Sequence, residues 1–436
     1  MKLKFYKNKL KKLYFNKEFL TKQFSNFYSE DNIINTNQKD YFKTFVELRS
    51  DVKTLPTLKM KESVLYHNYG DDIFNEDPTI SLLYDKLCSM FKSKAALFCS
   101  SGTMANMISL HLKAKRNEFI IIGSISHISI IERDQLEFYG FNVIRLDNLS
   151  DGSMCIEYKY VKEQLIKANI IDYIIQKLPS IKSLSDIIKV ICLEDTHNFC
   201  GGKVLDYKFI NKLNNVVINV LKDIIKDILM HKNINYNDYI SKIDCKMQFH
   251  LDGSRIFNSS VKSNNNLNII TNEYDSINIC LSKGLGAPVG SVLLLKNKND
   301  FQKAKFYRKI LGGNMRQAGF LAAPALVALE DYKERLYNDH INANMFEDIV
   351  LNNCNKFNNH IGVDFKCETN IVNLYINTKY KSKMNDFVTL LREKHKILIN
   401  SYYPNYFRIV FHHQVNKKQT EYAAIHIAKE AQNMLL

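Results

Sequence analysis

The amino-acid sequence predicts an α/β chain: a large domain with a mostly parallel sheet between helices over residues 45–335, then a smaller α+β domain over 336–436. Three observations predict it. Short apolar runs alternate with helical patterns, the arrangement of parallel strands joined by helices. Polar residues recur where those runs end, which is where ligands bind in such chains. The 436 residues exceed one compact core, and the pattern changes near residue 336.

Residues 1–44 read as a basic extension. The first 22 hold eight lysines and one glutamate, nearly half of the net charge of +15. An unstructured tail and an organelle address are the two readings; the segment lacks arginine, and no apolar stretch follows its start. The remaining positive charge is dispersed, with no arginine-rich helix or zinc pattern, so no nucleic-acid partner is expected. No apolar run reaches the length of about 18 residues that a membrane span needs. Nine cysteines without CxxC spacing indicate free thiols in a reducing compartment. The expected location is cytoplasmic, with an organelle as the alternative. Cys99, Cys192, Cys200 and Cys280 lie on or beside apolar runs and read as core fillers.

The large domain opens with Leu48-Arg-Ser-Asp51 and a stretch from Tyr69 to Thr79. Asp71 and Asp72 lack histidine or carboxylate partners at ligand spacing, so hydrogen bonding rather than a metal is expected. Asp77 followed by Pro78 is a helix start, and Ile80, Leu83, Leu87 and Phe91 give its apolar face. Ala95–Cys99 is a strand. Ser101, Gly102 and Thr103 then open a helix, where backbone N–H groups, small hydroxyls and the helix dipole favour an anion. Neither a phosphate-binding GxxxxGK[ST] loop nor a GxSxG elbow is present.

Phe119–Ile122 and Val143–Leu146 are the next strands, with His127 and Glu132 between them. Val190–Glu194 ends in Asp195-Thr-His-Asn198, and Met247–Asp252 ends in Gly253-Ser-Arg255. Residues 150–188 and the insert at 207–246 read as expanded surface connections, the second with a helix near Val216–Met230. Ile277–Leu281 leads to Ser282 and Lys283, and Val289–Leu295 is the following strand. Gly284, Gly286 and Gly290 let the backbone turn between them. Arg308, Lys309 and Arg316 surround a glycine pair, and Phe320–Leu336 is an apolar helix interrupted at Pro324. In the small domain Asn370–Ile376 and Phe407–Phe411 are strands. Arg408, among apolar neighbours, needs a carboxylate from a substrate or from the protein.

A lysine beside glycines at the end of a buried strand is placed to lose its water, and a neutral amine attacks carbonyls. Lys283 therefore reads either as a Schiff-base lysine for pyridoxal phosphate or as a solvated loop residue. That cofactor needs a lysine, a carboxylate for its ring nitrogen, an anion cup and an arginine for the substrate carboxylate. Lys283, Asp252, the Ser101–Thr103 cup and Arg408 supply these. His127 is either a ring-stacking group or an ordinary loop histidine.

With these motifs in order, the chain resembles the low-specificity L-threonine aldolases of the aromatic-amino-acid β-eliminating lyase group, within the fold-type I pyridoxal phosphate enzymes related to aspartate aminotransferase. The resemblance covers about residues 46–335, more weakly to the end. It rests on Leu-Arg-Ser-Asp at 48–51, Gly-Asp-Asp at 70–72, Glu-Asp-Pro-Thr at 76–79 and Ser-Gly-Thr-Met-Ala-Asn at 101–106. Thr-His-Asn at 196–198, Leu-Asp-Gly-Ser-Arg-Ile-Phe-Asn at 251–258, Ser-Lys-Gly-Leu-Gly-Ala-Pro-Val-Gly-Ser at 282–291 and Met-Arg-Gln at 315–317 complete it.

The resemblance implies cleavage of L-threonine or L-allo-threonine to glycine and acetaldehyde. Lys283 would carry the cofactor, Asp252 pair with its ring nitrogen and His127 stack on the ring. Gly102 and Thr103, with Ser101, would hold the phosphate, helped by Arg316 from a neighbouring subunit, and Ser282 and Arg255 would lie beside the cofactor. Ser50, Arg255 and Arg408 would hold the substrate carboxylate, and His197 would sit near the β-hydroxyl. His197, His127 and a bound water remain candidates for the base. A homotetramer with shared sites is implied. β-Elimination, serine hydroxymethyl transfer and a catalytically silent scaffold are the competing functions. Phe74, Asn75, Asn314 and Asp195 depart from the family pattern, the last adding a charge beside His197.

Overall fold

The computed structural model describes residues 38–354, 361–363, 366–376, 384–403 and 406–435. Most of the basic extension, residues 1–37, lies outside them. The chain divides into units of residues 1–45 and 46–436. In the first, Gln38–Thr44 is helical. The second carries the rest of the fold.

A two-residue strand, β1 (Val46–Glu47), precedes the seven strands of the main sheet: β2 (Ala95–Cys99), β3 (Phe119–Gly123), β4 (Asn142–Leu146), β5 (Ile188–Glu194), β6 (Phe249–Gly253), β7 (Ser276–Cys280) and β8 (Ser291–Leu295). Their order is β2-β8-β7-β6-β5-β3-β4. Only β8 runs against its neighbours, pairing antiparallel with both β2 and β7. Side chains along β3, β6, β7 and β8 are buried throughout; β3 and β8 read in sequence as apolar runs, while β6 and β7 also bury the polar His250, Asp252, Ser276 and Asn278. Parallel direction puts the C-terminal ends of β2 to β7 along one edge. Ser291, the first residue of β8, faces both Cys99 and Cys280 there. Gly290, just before it, has φ 110°, and a Cβ would lie 2.4 Å from the Phe98 ring. Only glycine lets the chain turn into β8 at that point.

The smaller module holds β9 (Ile361–Val363), β10 (Ile371–Ile376), β11 (Ile397–Leu398), β12 (Asn400–Tyr403) and β13 (Tyr406–Val410). Its antiparallel sheet has the order β12-β13-β10-β9, while β11 pairs parallel with β1. Helices Tyr332–Cys354, Met384–His395 and Lys417–Leu435 belong to this part. Val46 and Leu48 pack in its core with Phe346, Ile397 and Phe411. Residues 46–51 therefore lead from the small core to the main-sheet edge.

Two expectations are corrected. Residues 150–188 and 207–246 are more than surface connections. Helices Tyr158–Lys167, Ile170–Lys177 and Phe209–His231 pack into the main core through Val161, Ile174, Leu213, Val217, Val220 and Ile224. The 23-residue helix has apolar residues at intervals of three and four, which set one full stripe inward. Each such side chain contributes about 1.5–3 kcal/mol. The apolar stretch after Phe320 is two helices, Gly319–Ala328 and Tyr332–Cys354, and Pro324 lies inside the first. The break falls at 329–331, where Leu329 N–H closes the turn onto Ala325. Among the described residues no helix is long and apolar enough to cross a membrane.

Candidate active site

The site is built on one row of the sheet. Glu194, at the end of β5, stands opposite Asp252 near the end of β6, and Asp252 opposite Asn278 within β7. Asp252 is buried. Its Oδ1 accepts from Ser254 N (3.2 Å), Ser254 Oγ (2.7 Å) and Asn278 Nδ2 (3.3 Å), and its Oδ2 from Asn106 Nδ2 (3.2 Å). Burial alone would raise its pKa, but the Lys283 charge and the Ser254 hydroxyl oppose it and the carboxyl lies below its usual range. Asp252 is thus an ionised carboxylate in a dry setting.

Lys283 follows β7 on a turn whose carbonyl accepts from Gly286 N (2.8 Å) and Thr54 Oγ1 (3.1 Å). Its charge acts on Asp252, His127 and Asp51. His127 opens a short helix after β3, and its N–H donates to Glu194 Oε2 at 2.6 Å. Burial, then Lys283, lowers the imidazole pKa and favours the neutral ring. Glu132 lies 3.8 Å from His127 Nε2.

The anion cup stands where the Gly102–Lys113 helix leaves β2. Ser101 caps it, accepting from Met104 N (3.2 Å). A Cβ at Gly102 would stand 3.1 Å from Asn278 Nδ2 and about as close to Ser291 and Ser254. Ser282 has its hydroxyl 3.6 Å from Cys280 Sγ on the neighbouring turn.

Two arginines frame the other side. Arg408, on β13, donates from Nη1 to Asn198 Oδ1 (2.6 Å) and from Nη2 to Ser50 Oγ (3.5 Å). Arg255 is gripped by Asp51, Nε to Oδ2 (2.7 Å) and Nη2 to Oδ1 (2.5 Å), and reaches Asn198 at 3.4 Å. Burial would raise the Asp51 pKa, yet the Arg255 guanidinium holds it far below the usual value. Asn198 joins both arginines to the β5 end, since its own N–H donates to Glu194 Oε1 at 2.8 Å.

His197 is 1% exposed, and neither ring nitrogen has a hydrogen-bond partner among the described residues. Glu194 Oε2 lies 4.0 Å from its Nε2. The charge expected beside His197 from Asp195 is not there, because the Asp195 side chain is turned to other partners. It accepts from Ser259 Oγ (2.7 Å) and Leu205 N (3.2 Å), and burial pushes its pKa up to about 7. Asn75 adopts φ 59°, a left-handed conformation that asparagine tolerates, so the turn is kept without glycine.

The beta-eliminating lyase family matches residues 47–220 and 240–359. The chain belongs to that family. It is 31% identical to low-specificity L-threonine aldolase 1 of Arabidopsis thaliana, over 86% of this chain and 94% of that protein. The structure of a putative L-allo-threonine aldolase from Listeria monocytogenes superposes with a TM-score of 0.62 at 16% identity, covering 90% of this chain and 98% of the other. The structure of SPT with pyridoxal phosphate gives 0.60 at 12% identity, covering 89% and 88%. These likenesses establish the pyridoxal-phosphate-enzyme fold that the sequence predicts.

The match to the beta-eliminating lyase family breaks at 221–239, which covers the second half of the long helix, the turn after it and most of the short helix Tyr236–Ile240. Lys283, Asp252, His127, Arg255, Arg408, Ser50 and His197 all meet at the sheet edge or the segments facing it. Arg316 does not join them within one chain: it is 64% exposed and donates to Asp71 Oδ2 at 2.6 Å. Asp72 pairs with the fully buried Arg308 at 2.8 Å, and Arg308 also donates to Phe98 O at 2.9 Å. Sequence reasoning missed Asp51, Asn106, Asn198, Glu132, Glu194 and Asn278 as parts of the site. The first three lie inside the quoted motifs, which was the available signal. Of the other three, Glu194 ends β5, Asn278 lies within β7 and Glu132 stands at the start of a helix.

Proposed function

We propose that this beta-eliminating lyase is a pyridoxal-phosphate-dependent aldolase that breaks the Cα–Cβ bond of L-threonine or L-allo-threonine to give glycine and acetaldehyde. One observation carries the reading: Lys283, ionised Asp252 and the Arg408–Ser50 pair converge at one sheet edge, with the unbonded ring of His197 beside them.

The residues fit the cofactor. Ser291 Oγ and Asn278 Oδ1 are buried without a hydrogen-bond partner among the described residues, next to Gly102, whose missing side chain leaves a cradle. The helix N-terminus at Gly102 and Thr103 would hold the phosphate, Asp252 the ring nitrogen, His127 the ring face and Lys283 the aldehyde carbon. When bound, pyridoxal phosphate supplies an electron sink for the pair left on Cα as the bond breaks.

The chain's own residues do the remainder. Asp252 keeps a proton on the ring nitrogen. Arg408 and Ser50 orient the substrate carboxylate, and Arg255, held by Asp51, buttresses the Asn198 carbonyl to which Arg408 is tied. His197 has no competing partner, so it is the proposed base for the β-hydroxyl proton, with His127 as the second candidate. Exposed Arg316 would reach the phosphate of a neighbouring subunit in a tetramer with shared sites. Such an activity would serve threonine breakdown and glycine formation.

The test is an absorbance spectrum before and after L-allo-threonine, with Lys283→Ala alongside. The reading expects a cofactor band altered in the variant and acetaldehyde released only by the parent. A band without acetaldehyde moves the assignment to β-elimination or hydroxymethyl transfer. No band after added cofactor overturns the enzyme and leaves a scaffold.

A further inference from the structure

Behind Asp252 lies a closed chain of polar side chains that the proposed reaction does not use. Asn106, Ser109, Glu132, His250 and Ser276 are all at most 2% exposed. Asn106 Nδ2 donates to Asp252 Oδ2 (3.2 Å) and to Glu132 Oε1 and Oε2 (3.1 and 3.3 Å). Its Oδ1 contacts His250 Nε2 at 3.0 Å. His250 Nδ1 contacts Ser109 Oγ (2.9 Å) and Ser276 Oγ (3.0 Å).

These contacts have one consistent assignment. Turned the other way, the Asn106 carbonyl would face two carboxyls, which offer it at most one proton. Its N–H₂ group therefore faces them, and Oδ1 must accept from His250. His250 then carries its proton on Nε2, and Nδ1 accepts from a serine hydroxyl. The ring is neutral, and burial depresses its pKa to about 4 in agreement.

We infer that Asn106, aimed by His250, is a positioning residue whose amide joins Asp252 and Glu132 into a pair carrying one charge, on Asp252, and one proton, on Glu132. Two carboxylates sharing one buried donor repel, so one stays protonated. The hydrogen bonds decide which. Asp252 accepts two bonds from Ser254 and one from Asn278 besides that of Asn106. Glu132 has Asn106 and Thr103. Its environment agrees: burial first, then the Asp252 charge, push its pKa up to about 8. The other ionisable groups facing it are His127 from the short helix, Lys283 from the turn after β7 and Cys192 from β5. Glu132 is the N-cap residue of the Arg133–Tyr139 helix but makes no side-chain cap, so its carboxyl is available to the interior. The role rests on the proposed function in one respect: the charge so aimed is the one that would meet the cofactor ring nitrogen.

The first test uses protein freed of cofactor. Near neutral pH its infrared spectrum should carry a protonated-carboxyl band that is lost in Glu132→Gln. An unchanged spectrum means that Glu132 is ionised and overturns the proposal. The second measures pyridoxal phosphate affinity by absorbance. His250→Leu should bind about tenfold more weakly, the size of one buried hydrogen bond. His250→Gln, whose amide N–H replaces the imidazole donor, should bind as the parent does. Equal affinity in all three removes the positioning role. If His250→Leu does not fold by circular dichroism, the infrared comparison still decides. A parent that binds no pyridoxal phosphate would refute the proposed function, while the infrared result would still judge the carboxyl pair.

Discussion

Arg255 and Asp51, 204 residues apart in sequence, form a two-pronged ion pair inside the protein, with contacts of 2.7 and 2.5 Å. The pair joins the turn after β6 to the segment that leaves the small core. It therefore fixes the two halves of the site against each other.

Asp51→Asn should leave a buried guanidinium without its counter-charge. Removing one partner of such a pair costs about 3–5 kcal/mol, read as a lower urea midpoint. The pH dependence has a definite sign. Asp51 has its pKa depressed below 3.8 by folding, so the pair's stabilisation is present above that value and lost as pH falls below it. The parent should lose stability on acidification more steeply than Asp51→Asn. Parallel acid curves would mean that the pair does not stabilise the fold.

Arg408→Lys should raise KM for L-allo-threonine and leave kcat nearly unchanged. A point charge cannot hold Asn198, Ser50 and a carboxylate at once as a planar fork does. Loss of one charge-assisted hydrogen bond is worth about 1.5–3 kcal/mol, or roughly 10- to 100-fold. An unchanged KM would remove Arg408 from substrate binding.

The main strands were legible because short, largely buried segments rich in apolar residues recur between helical stretches, and the site because parallel strands end together. Lys283, Asp252 and the cup at Gly102 follow from that alone. Pairing was not legible. Nothing local says that Arg308, which the sequence places beside a glycine pair, would be buried against Asp72 and Phe98. Nor does Asn106 announce that one amide would serve two carboxyls from different elements. The long helix at Phe209–His231 was underrated for a related reason. Its lysines and asparagines suggested surface, while its apolar stripe needed the neighbouring helices to show that it is core.

His197→Phe separates structure from chemistry. A buried imidazole without hydrogen bonds carries a desolvation cost that a phenyl ring does not. The variant should melt at or above the parent temperature and keep its cofactor spectrum. Its cleavage of L-allo-threonine should fall by about 10²–10⁴-fold, the range for a lost general base. Full activity would pass the role to His127 or to water.

Asp195→Asn restores the asparagine that the family resemblance leads one to expect at this position. Burial is the main cause of the raised Asp195 pKa, with the Glu194 charge adding to it, while Ser259 and Leu205 oppose. The unfolded chain releases this proton near 3.8 and the folded chain near 7. Folding therefore binds a proton between those values, and stability falls as pH rises through that window. Asparagine cannot ionise. Its carbonyl can still accept from Leu205 N, and its amide can donate to Ser259 Oγ. The melting-temperature advantage of the variant should thus be larger at about pH 8 than at about pH 5. An advantage that is equal at both, or larger in acid, would mean that Asp195 is ionised throughout and that its hydrogen bonds, not burial, set its state.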